Sequence, residues 1–466
     1  MQVATVAASL WQSAGLDAQA LPQLSFGGHE PVLPSSFALA TALQASLGAA
    51  ALAAACIGQA RGGPRQAVSV DATDAVHEAS GTFSIDGRRP AAWDPLAGLY
   101  RCGDDGFVRL HTNFVHHRDG VLRLLGLPGQ PDGPATERAA VAQALQGWKA
   151  LAFEQAAADA GLVVAAVRSF EQWDAHAQAA AIAAQPLLAI ERCGNAQPPA
   201  WTPLPAGARP LQGVRVLDLT RILAGPVAGR TLAAYGADVM LVNSPQLPNI
   251  EAVAETSRGK LSVHVDLKTA AGRETLRGLL READVLLQAY RPGALAALGF
   301  GPGQLQQLNP VLVSVSLSAY GETGPWGGRR GFDSLVQTAS GFNHAEAQAF
   351  GVPEPKALPL QVLDYSAGFL LAFGAQAALL RRATEGGAWQ VGVTLARTGL
   401  WLRSLGRLQG FAALGWPAFG AALQTEASGF GTLQAVRHAA RFSHTPPGWT
   451  RPSMPPGSHA PVWPPR

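Results

Sequence analysis

An acidic residue, Asp364, stands just before a long uncharged stretch, "YSAGFLLAFGAQAALL", at residues 365–380. An Asp that precedes an apolar helical run commonly serves as the helix N-cap, which contributes about 1 kcal/mol of stability. A carboxylate can instead attack an electrophilic carbon and form a covalent intermediate. The residues next to Asp364 favour the role of a helix cap. The role of a nucleophile therefore needs support from the rest of the chain.

A second apolar stretch has the same organisation but lacks the acid. Residues 45–70, "ASLGAAALAAACIGQARGGPRQAVSV", repeat the order of apolar helix, Gly-Gly pair and strand that ends in "EGGAWQVGV" at 385–393. Aligning the glycine pairs 62–63 and 386–387 places Ala40 opposite Asp364, and "SSFALATALQAS" around Ala40 contains no carboxylate. The pattern is either a weak internal repeat or a consequence of Ala-rich composition. It predicts one candidate nucleophile per chain.

The charge of the chain argues against nucleic acid as the main partner. The 466 residues carry 35 Lys and Arg against 32 Asp and Glu, a formal net charge of +3, and no dense basic run. The uncharged segment between Glu30 and Arg61 is long enough to span a bilayer. Because Pro34 and several polar residues interrupt it, we prefer a buried helix to a membrane span. The start, "MQVATVAASLW", has no basic region, so we expect no secretory signal.

The cysteines and histidines do not indicate a metal site. The three cysteines share no metal-like spacing and are odd in number, which favours free thiols in a reducing cytoplasm. His111, His116 and His117 in "HTNFVHHRD" fit no closed zinc set. We therefore expect no metal.

The second half of the chain alternates strand and helix patterns. Helices are predicted at 228–237 and 270–283, and strands are predicted at 213–219, 238–242, 260–267, 284–290 and 309–318. Strands separated by helices of this length imply a parallel sheet covered on both faces. The predicted fold class for 211 to about 400 is therefore α/β.

The first half has a different pattern. We predict a helix near 37–58, a strand at 66–71, two aromatic-containing runs that flank the turn "GDDG" at 103–106, and helices at 136–160. The Pro-rich stretch "NAQPPAWTPLPAGARP" at 195–210 predicts a linker. The Pro-rich end of the chain predicts an irregular segment that either covers another surface or is mobile.

Several segments of the chain occur together in the order found in one enzyme family. They are "LQGVRVLDLTRILAGPVAGRTLAAYGADVMLV" at 211–242, "SRGKLSVHVDLKTAAGRETLRGLLREADVLLQAYRPGALAALGFG" at 257–301, "LNPVLVSVSLSAYGETGP" at 308–325, "GFDSLVQTASGF" at 331–342 and the stretch that begins at Asp364. Together they resemble the family III CoA-transferases, also called the CaiB/BaiF family. The resemblance implies a Rossmann-like parallel sheet with a second, smaller α/β domain.

The resemblance places Asp364 where the family carries a nucleophilic carboxylate. It implies an acyl-CoA:carboxylate CoA-transferase that works through an aspartyl anhydride and an aspartyl-CoA thioester, with acyl-CoA and a carboxylic acid as its partners and no cofactor beyond the CoA thioester substrate. A helix start would keep such a carboxylate ionised. The family's racemases carry a His where this chain has Phe332. Racemisation is therefore disfavoured, and Asp333 is interpreted as a structural cap or a loop acid.

The resemblance also marks positions that would contact coenzyme A. They are Arg221, Ala224, Arg258, Lys260, Tyr290 and Arg291. Arginine and lysine suit the multiply charged phosphates of CoA, although each alone could be a solvated surface base. The chain departs from the family's pattern at Asn243 and Ala289, which could alter or weaken the CoA contact.

The order of the parts also departs from the family. We predict a partial large-domain segment at 1–88, a small domain at 89–194, the linker at 195–210, the large domain at 211–410 and a C-terminal closing segment at 411–466. Because family members form interlocked dimers, the resemblance implies a homodimer or a fused pseudo-dimer. A degenerate, non-catalytic homologue with a binding or assembly role is the main alternative function, and an acyl-CoA racemase is a further one.

Overall fold

The computed structural model describes residues 2–128 and 137–465. Within these ranges the α-helices are α1 (Val3–Ser13), α2 (Leu39–Ala60), α3 (Ala72–Ala79), α4 (Val115–Leu124), α5 (Arg138–Leu145), α6 (Ala150–Asp159), α7 (Phe170–Asp174), α8 (Ala177–Ala183), α9 (Ala224–Ala234), α10 (Val253–Thr256), α11 (Ala270–Glu282), α12 (Pro302–Leu308), α13 (Asp333–Ala339), α14 (Phe342–Phe350), α15 (Val362–Glu385) and α16 (Leu395–Ser404). The strands are β1 (Leu24–Gly27), β2 (Val68–Asp71), β3 (Phe83–Ile85), β4 (Gly98–Arg101), β5 (Phe107–Leu110), β6 (Val164–Ala166), β7 (Ala189–Arg192), β8 (Arg215–Leu219), β9 (Asp238–Asn243), β10 (Lys260–His264), β11 (Val285–Gln288), β12 (Val313–Ser318), β13 (Trp389–Thr394), β14 (Leu423–Ser428), β15 (Gly431–Val436) and β16 (Ala440–Phe442).

A seven-stranded sheet forms the centre of the second half. Its strand order is β10-β9-β8-β11-β12-β13-β7. The first six strands are parallel, and β7 is antiparallel to β13 at the edge. The predicted α/β class with a parallel sheet is confirmed. Each predicted strand is present and ends within a few residues of its expected bounds, because fully buried strands read as near-continuous apolar runs.

The two faces of this sheet pack against different helices. Alternate residues along each strand point to opposite faces, so neighbours such as Val216 and Leu217 enter separate cores. One core contains α9, α15 and α2, and the other contains the apolar stripe of α11, with Leu276, Leu279 and Leu280. The sheet is therefore covered on both sides, as a parallel sheet requires.

The helices α2 and α15 contain the two apolar stretches that align in the sequence through their Gly-Gly pairs. Both are long and apolar enough to cross a membrane by length and composition, yet nearly all of α2 and most of α15 lie buried inside the protein. The two helices pack against each other, and α15 also packs against α9. Ala40 lies in the first turn of α2 as Asp364 lies in the first turn of α15. The core position of both helices explains their apolar composition.

A smaller unit follows in the first half. The antiparallel strands β4 and β5 flank the turn that contains "GDDG", β6 completes a three-stranded sheet, and α4, α5 and α6 cover it. The predicted small domain extends to residue 194, but β7 at 189–192 pairs with β13 of the large sheet instead. The difference arises because the edge of β13 offers unpaired backbone groups that β7 satisfies.

The two ends of the chain close over each other. Strand β16 pairs with β2, and β15 pairs with β3, so the closing segment completes sheets begun by residues 24–85. The Pro-rich end then runs over the large domain, where Trp449 Nε1 donates to the carbonyl of Arg230 and Trp463 Nε1 to that of Leu279. Of the two alternatives for this segment, the structure shows a chain that covers another surface.

A buried charge network joins these parts. Arg230 of α9 pairs with Glu78 of α3 at 3.1 Å and with Glu255 of α10, while Nδ1 of His438 lies 3.0 Å from Glu78. Burial opposes ionisation of Glu78, but the charges of His438 and Arg230 prevail and lower its pKa to about 2. Removing one member of such a network typically costs about 3–5 kcal/mol, because the others stay charged and buried.

Candidate functional site

The candidate site lies where the strand order of the large sheet reverses. From β8 the chain proceeds through β9 and β10 on one side, and β11 begins the other side. Ligands of open α/β sheets bind at this switch point, outside the carboxyl ends of the strands. The loop after β8 carries Arg221 and leads into α9 at Ala224, and the loop after β11 carries Tyr290 and Arg291. Four of the six positions predicted to contact CoA therefore meet at one edge of the sheet.

The loop after β8 holds a strained residue. Ile222 has a backbone φ of 77°, a left-handed conformation that β-branched residues rarely adopt and that costs about 1–3 kcal/mol. Its side chain lines both cavities described below. Strain of this kind persists where the surrounding structure fixes the chain, and it is typical of functional loops.

Asp364 is positioned by close contact between α15 and α9. One turn below it, a Cβ on Gly368 would lie 2.6 Å from the carbonyl oxygen of Ala224 and 2.8 Å from Cγ1 of Val227. Only glycine permits this approach, which brings the start of α15 next to the start of α9. Asp364 lies in the first turn of the helix and is 7% exposed.

Asp333 caps the helix that carries Asp364. Its Oδ2 accepts the backbone N–H of Asp364 at 2.8 Å, and its carboxylate also accepts from Gln337. Asp333 lies in the first turn of α13 and is fully buried. The carboxylate of Asp364 is therefore not needed to cap this backbone group, and Asp333 takes the structural role.

Burial raises the pKa of Asp364 well above its usual range, and the nearby charge of Asp333 raises it further. Burial also raises the pKa of Asp333 to about 7, although the N–H groups of Asp364 and Leu363 and the side chain of Gln337 oppose the shift. Burial and the charge of Asp333 both oppose the ionised form of Asp364 that the helix start was expected to favour. The reason is that Asp333 accepts the nearest N–H groups, while the Asp364 carboxyl lies out of bulk water.

A cavity of about 640 Å³ lies on one side of Asp364, and we call it the cationic cavity. Its lining includes four arginines, Arg221, Arg291, Arg329 and Arg330. Among the lining residues that the structure describes, Asp364 is the only carboxylate. Low-dielectric walls lined by one sign of charge concentrate ligands of the opposite sign.

Asp364 also lines a second cavity of about 870 Å³, and we call it the aromatic cavity. Its aromatic lining consists of Phe83, Trp93, Phe332, Tyr365, Trp416 and Phe419, together with the imidazole of His111. Ile222, Leu223, Phe332 and Asp364 line both cavities. Asp364 therefore stands at the junction between an arginine-rich space and an aromatic one.

Comparison with known proteins identifies the large domain. Residues 211–412 match the family "CoA-transferase family III". This part of the chain is a family III CoA-transferase domain. The chain is 39% identical to "Probable fatty acyl-CoA transferase Rv3272" of Mycobacterium tuberculosis over 40% of this chain and 51% of that protein. It is 32% identical to an "Acyl-CoA transferase" of Gibberella moniliformis over 62% of this chain and 53% of that protein.

A third relative has a more specific name. The chain is 34% identical to the "Succinate--glutarate CoA-transferase" of Agrobacterium fabrum, over 42% of this chain and 53% of that protein. The chain thus spans about half the length of the curated relatives it matches. The family match covers residues 211–412, whereas the aromatic cavity also takes walls from residues before and after this range.

Two of the residues predicted to contact CoA lie away from the cationic cavity. Lys260 is fully buried beneath α9, where its Nζ lies 2.9 Å from Asp218 Oδ2. Arg258 is also fully buried, where its Nε pairs with Glu426 at 2.8 Å and its guanidinium stacks on Trp449 at 3.8 Å. Neither side chain lines the cationic cavity. Their basic character reflects ion pairs inside the protein, which a sequence pattern does not distinguish from phosphate contacts.

The two departures from the family's pattern have different surroundings in the CoA-transferase domain. Asn243 is buried at the end of β9, where its amide donates to Ser262 Oγ at 3.1 Å and its Oδ1 accepts from Asn249 at 2.9 Å. Ala289 lines the cationic cavity. The Asn243 side chain therefore holds two neighbouring segments together, whereas the small side chain of Ala289 leaves space in the cavity.

Sequence reasoning missed several lining residues. Arg329 and Arg330 lie in the glycine-rich stretch "GPWGGRRGF" at 324–332, where their adjacency was the available signal. Trp93 and Trp416 come from segments outside the CoA-transferase domain, and no local pattern relates them to Asp364. Of the predicted histidine group, His116 and His117 line the cationic cavity and His111 lines the aromatic one.

Proposed function

We propose that this chain transfers coenzyme A from an acyl-CoA to a carboxylic acid, with Asp364 as the nucleophile. The observation that carries the proposal is the position of Asp364, whose side chain lines an arginine-rich cavity and an aromatic cavity at once. An acyl-CoA substrate also has two unlike parts, a polyanionic CoA and an acyl group. The two parts meet at the thioester, whose carbonyl carbon is the atom that the nucleophile attacks. We also propose that the protein is cytoplasmic and that it is either a homodimer or a fused pseudo-dimer.

The cationic cavity suits the CoA part of the substrate. Guanidinium groups bind phosphate oxygens through paired, charge-assisted hydrogen bonds. Arg221 and Arg291 follow the strands that flank the switch point, and the first turn of α9 begins beside them at Ala224. A helix start adds backbone N–H groups that favour anions. In this arrangement the phosphates lie towards the arginines, and the thioester lies towards Asp364.

The proposed reaction proceeds in balanced steps. A carboxylate oxygen of Asp364 attacks the thioester carbon, the C–S bond breaks, and the CoA thiolate leaves an acyl-aspartyl anhydride. The thiolate then attacks the aspartyl carbonyl carbon, which releases the first carboxylic acid and forms an aspartyl-CoA thioester. The acceptor carboxylate attacks this thioester and expels the thiolate again. Attack of the thiolate on the acceptor carbonyl forms the new acyl-CoA and restores the Asp364 carboxylate.

The raised pKa of Asp364 affects when this chemistry can begin. Only the ionised carboxylate attacks, so the rate depends on the fraction of protein in which Asp364 has lost its proton. A more basic carboxylate is a better nucleophile once it is ionised. Exclusion of water by the burial that raises the pKa also protects the anhydride from hydrolysis.

A labelling experiment tests the proposal. The protein is incubated separately with acetyl-, succinyl-, octanoyl- and benzoyl-CoA, trapped with hydroxylamine and examined by peptide mass spectrometry. We expect modification of the peptide that carries Asp364, and we expect Asp364→Ala to lower turnover by at least about 10⁴-fold because the covalent path is lost. Asp105→Ala is the matched control, because Asp105 lies in an exposed turn of the small unit.

A second experiment measures the affinity of the protein for CoA. Arg291→Ala should weaken CoA binding by roughly 10-fold, which corresponds to about 1.4 kcal/mol for a lost charge-assisted contact. Arg277→Ala on the outer face of α11 is the control and should leave the dissociation constant unchanged. Turnover that survives Asp364→Ala contradicts the proposal. Tight CoA binding with no labelling by any donor would instead support the non-catalytic homologue.

A further inference from the structure

We propose that the aromatic cavity is the acyl site and that it selects bulky, ring-bearing apolar acyl groups over short, linear or dicarboxylic ones. The inference rests on the proposed function, because it assigns the acyl half of the same reaction. It concerns the residues that surround the acyl group, most of which lie outside the CoA-transferase domain.

The walls of the aromatic cavity come from distant parts of the chain. Phe83 belongs to β3, Trp93 to the segment before β4, and Trp416 and Phe419 to the segment before β14. Trp93 and Trp416 both line this space, and they are 39% and 43% exposed. Large apolar side chains that converge on one cavity next to a reactive group indicate a binding site for an apolar ligand.

Contacts behind the walls hold the aromatic groups in place. The guanidinium of Arg109 lies 5.3 Å from the Trp93 ring, and His111 stacks on Phe332 with ring centroids 4.0 Å apart. His77 packs against Phe419 with ring centroids 4.8 Å apart. A site with fixed aromatic walls loses little conformational entropy when a flat ligand enters, and this favours rings over flexible chains.

The charges of the aromatic cavity disfavour a second carboxylate on the acyl group. Besides Asp364, its lining includes Asp94, Glu251 and Glu255, against one lining guanidinium, that of Arg89. Glu255 already pairs with Arg230, and Asp94 lies 3.6 Å from Arg118, so neither carboxylate leaves a free cation to receive a second acid. A dicarboxylic acyl group would bring its distal carboxylate into this acidic surrounding, where like charges repel. An apolar ring meets no such opposition.

The size of the cavity disfavours a very short acyl group. Its volume of about 870 Å³ is at the upper end of the roughly 300–1,000 Å³ found for small-molecule sites. An acetyl or formyl group would contact few of the aromatic walls and would gain little of their dispersion energy. The first acid leaves before the acceptor enters, so both acids would use the same space.

The test compares donors in the complete protein. We measure kcat/KM for acylation of Asp364 by benzoyl-, octanoyl-, succinyl- and acetyl-CoA, and we expect benzoyl-CoA to exceed each of the others by about 10-fold or more. Trp416→Ala should raise KM for benzoyl-CoA by about 10-fold, which corresponds to about 1.4 kcal/mol for a lost aromatic contact, with little change for acetyl-CoA. Leu151→Ala, which truncates an exposed residue of α6, is the control and should change neither.

Several outcomes would overturn the inference while leaving the proposed function intact. These are acylation by acetyl-, succinyl- or octanoyl-CoA as fast as by benzoyl-CoA, or a Trp416→Ala effect that is equal for all donors. If no donor acylates Asp364, the proposed function fails instead. Quenching of tryptophan fluorescence by benzoate, lost in Trp416→Ala and kept in Leu151→Ala, would then still support an aromatic-acid site. Its absence would overturn the site as well.

Discussion

Replacement of Lys260 by methionine tests whether this residue forms a structural ion pair or contacts CoA. The Lys260 ammonium donates to Asp218 Oδ2 at 2.9 Å and to the carbonyl of Pro226 at 2.8 Å, and both charged side chains are fully buried. Methionine has a similar length and no charge, so Lys260→Met leaves the Asp218 carboxylate buried without its counterion. Breaking a buried pair in this way costs about 3–5 kcal/mol. Pro226 also loses a donor at the start of α9, which acts in the same direction.

Urea unfolding followed by circular dichroism measures this loss. We expect Lys260→Met to unfold at a clearly lower urea concentration, and we expect the double variant with Asp218→Asn to recover part of the loss because the uncompensated charge is gone. CoA affinity, measured by calorimetry in urea-free buffer, should change less than about twofold, since a twofold change is only about 0.4 kcal/mol. An unchanged unfolding midpoint together with CoA binding weakened 10-fold would refute this reasoning. Such a result would indicate that Lys260 contacts the CoA phosphates.

Two further predictions concern the paired carboxyls. Asp333→Asn should destabilise the start of α15 by about 1–2 kcal/mol through the weakened cap, and it should shift the lower limb of the pH–rate profile for Asp364 acylation to lower pH because one cause of the raised Asp364 pKa is removed. A lower rate with an unmoved limb would mean that Asp333 acts through structure alone. The pKa of Asp364 is higher in the folded protein than its value of 3.8 in the unfolded chain. Protonation of Asp364 therefore stabilises the fold fully below pH 3.8, and this stabilisation is lost as pH rises through the pKa of the folded protein. Asp364→Asn should therefore unfold at higher urea than the native protein, by a margin that grows with pH above about 4. A margin independent of pH would contradict the raised pKa.

Much of the fold was predictable because its signals are local. The buried strands β8 to β12 read as apolar runs between helical patterns, and the predicted helix 270–283 matches α11 within one residue. The position of Asp364 at a helix start followed from the uncharged run behind it. The boundary of the small unit was less predictable, since β7 pairs with a strand that follows it by almost 200 residues along the chain.

The site was only partly predictable. The loops that carry Arg221, Tyr290 and Arg291 follow parallel strands, and the carboxyl ends of such strands meet at one edge of the sheet, so these positions could be grouped from the sequence. Arg258 and Lys260 precede or begin a strand in the same way, yet both side chains turn inwards to buried acids. Whether a basic side chain faces a cavity or an ion pair depends on partners far away in the chain.

The sequence by itself determined the alternation of strands and helices, the parallel sheet, the apolar helix behind Asp364 and the lack of a matching acid near Ala40. Each of these follows from the order and spacing of neighbouring residues, which the backbone converts directly into strand or helix. The tertiary structure decided that Asp333 caps α15, that burial raises the pKa of Asp364, and that Trp93 and Trp416 face one space. Burial and long-range contact are properties of packing, and packing brings together side chains whose separation along the chain carries no periodic signal.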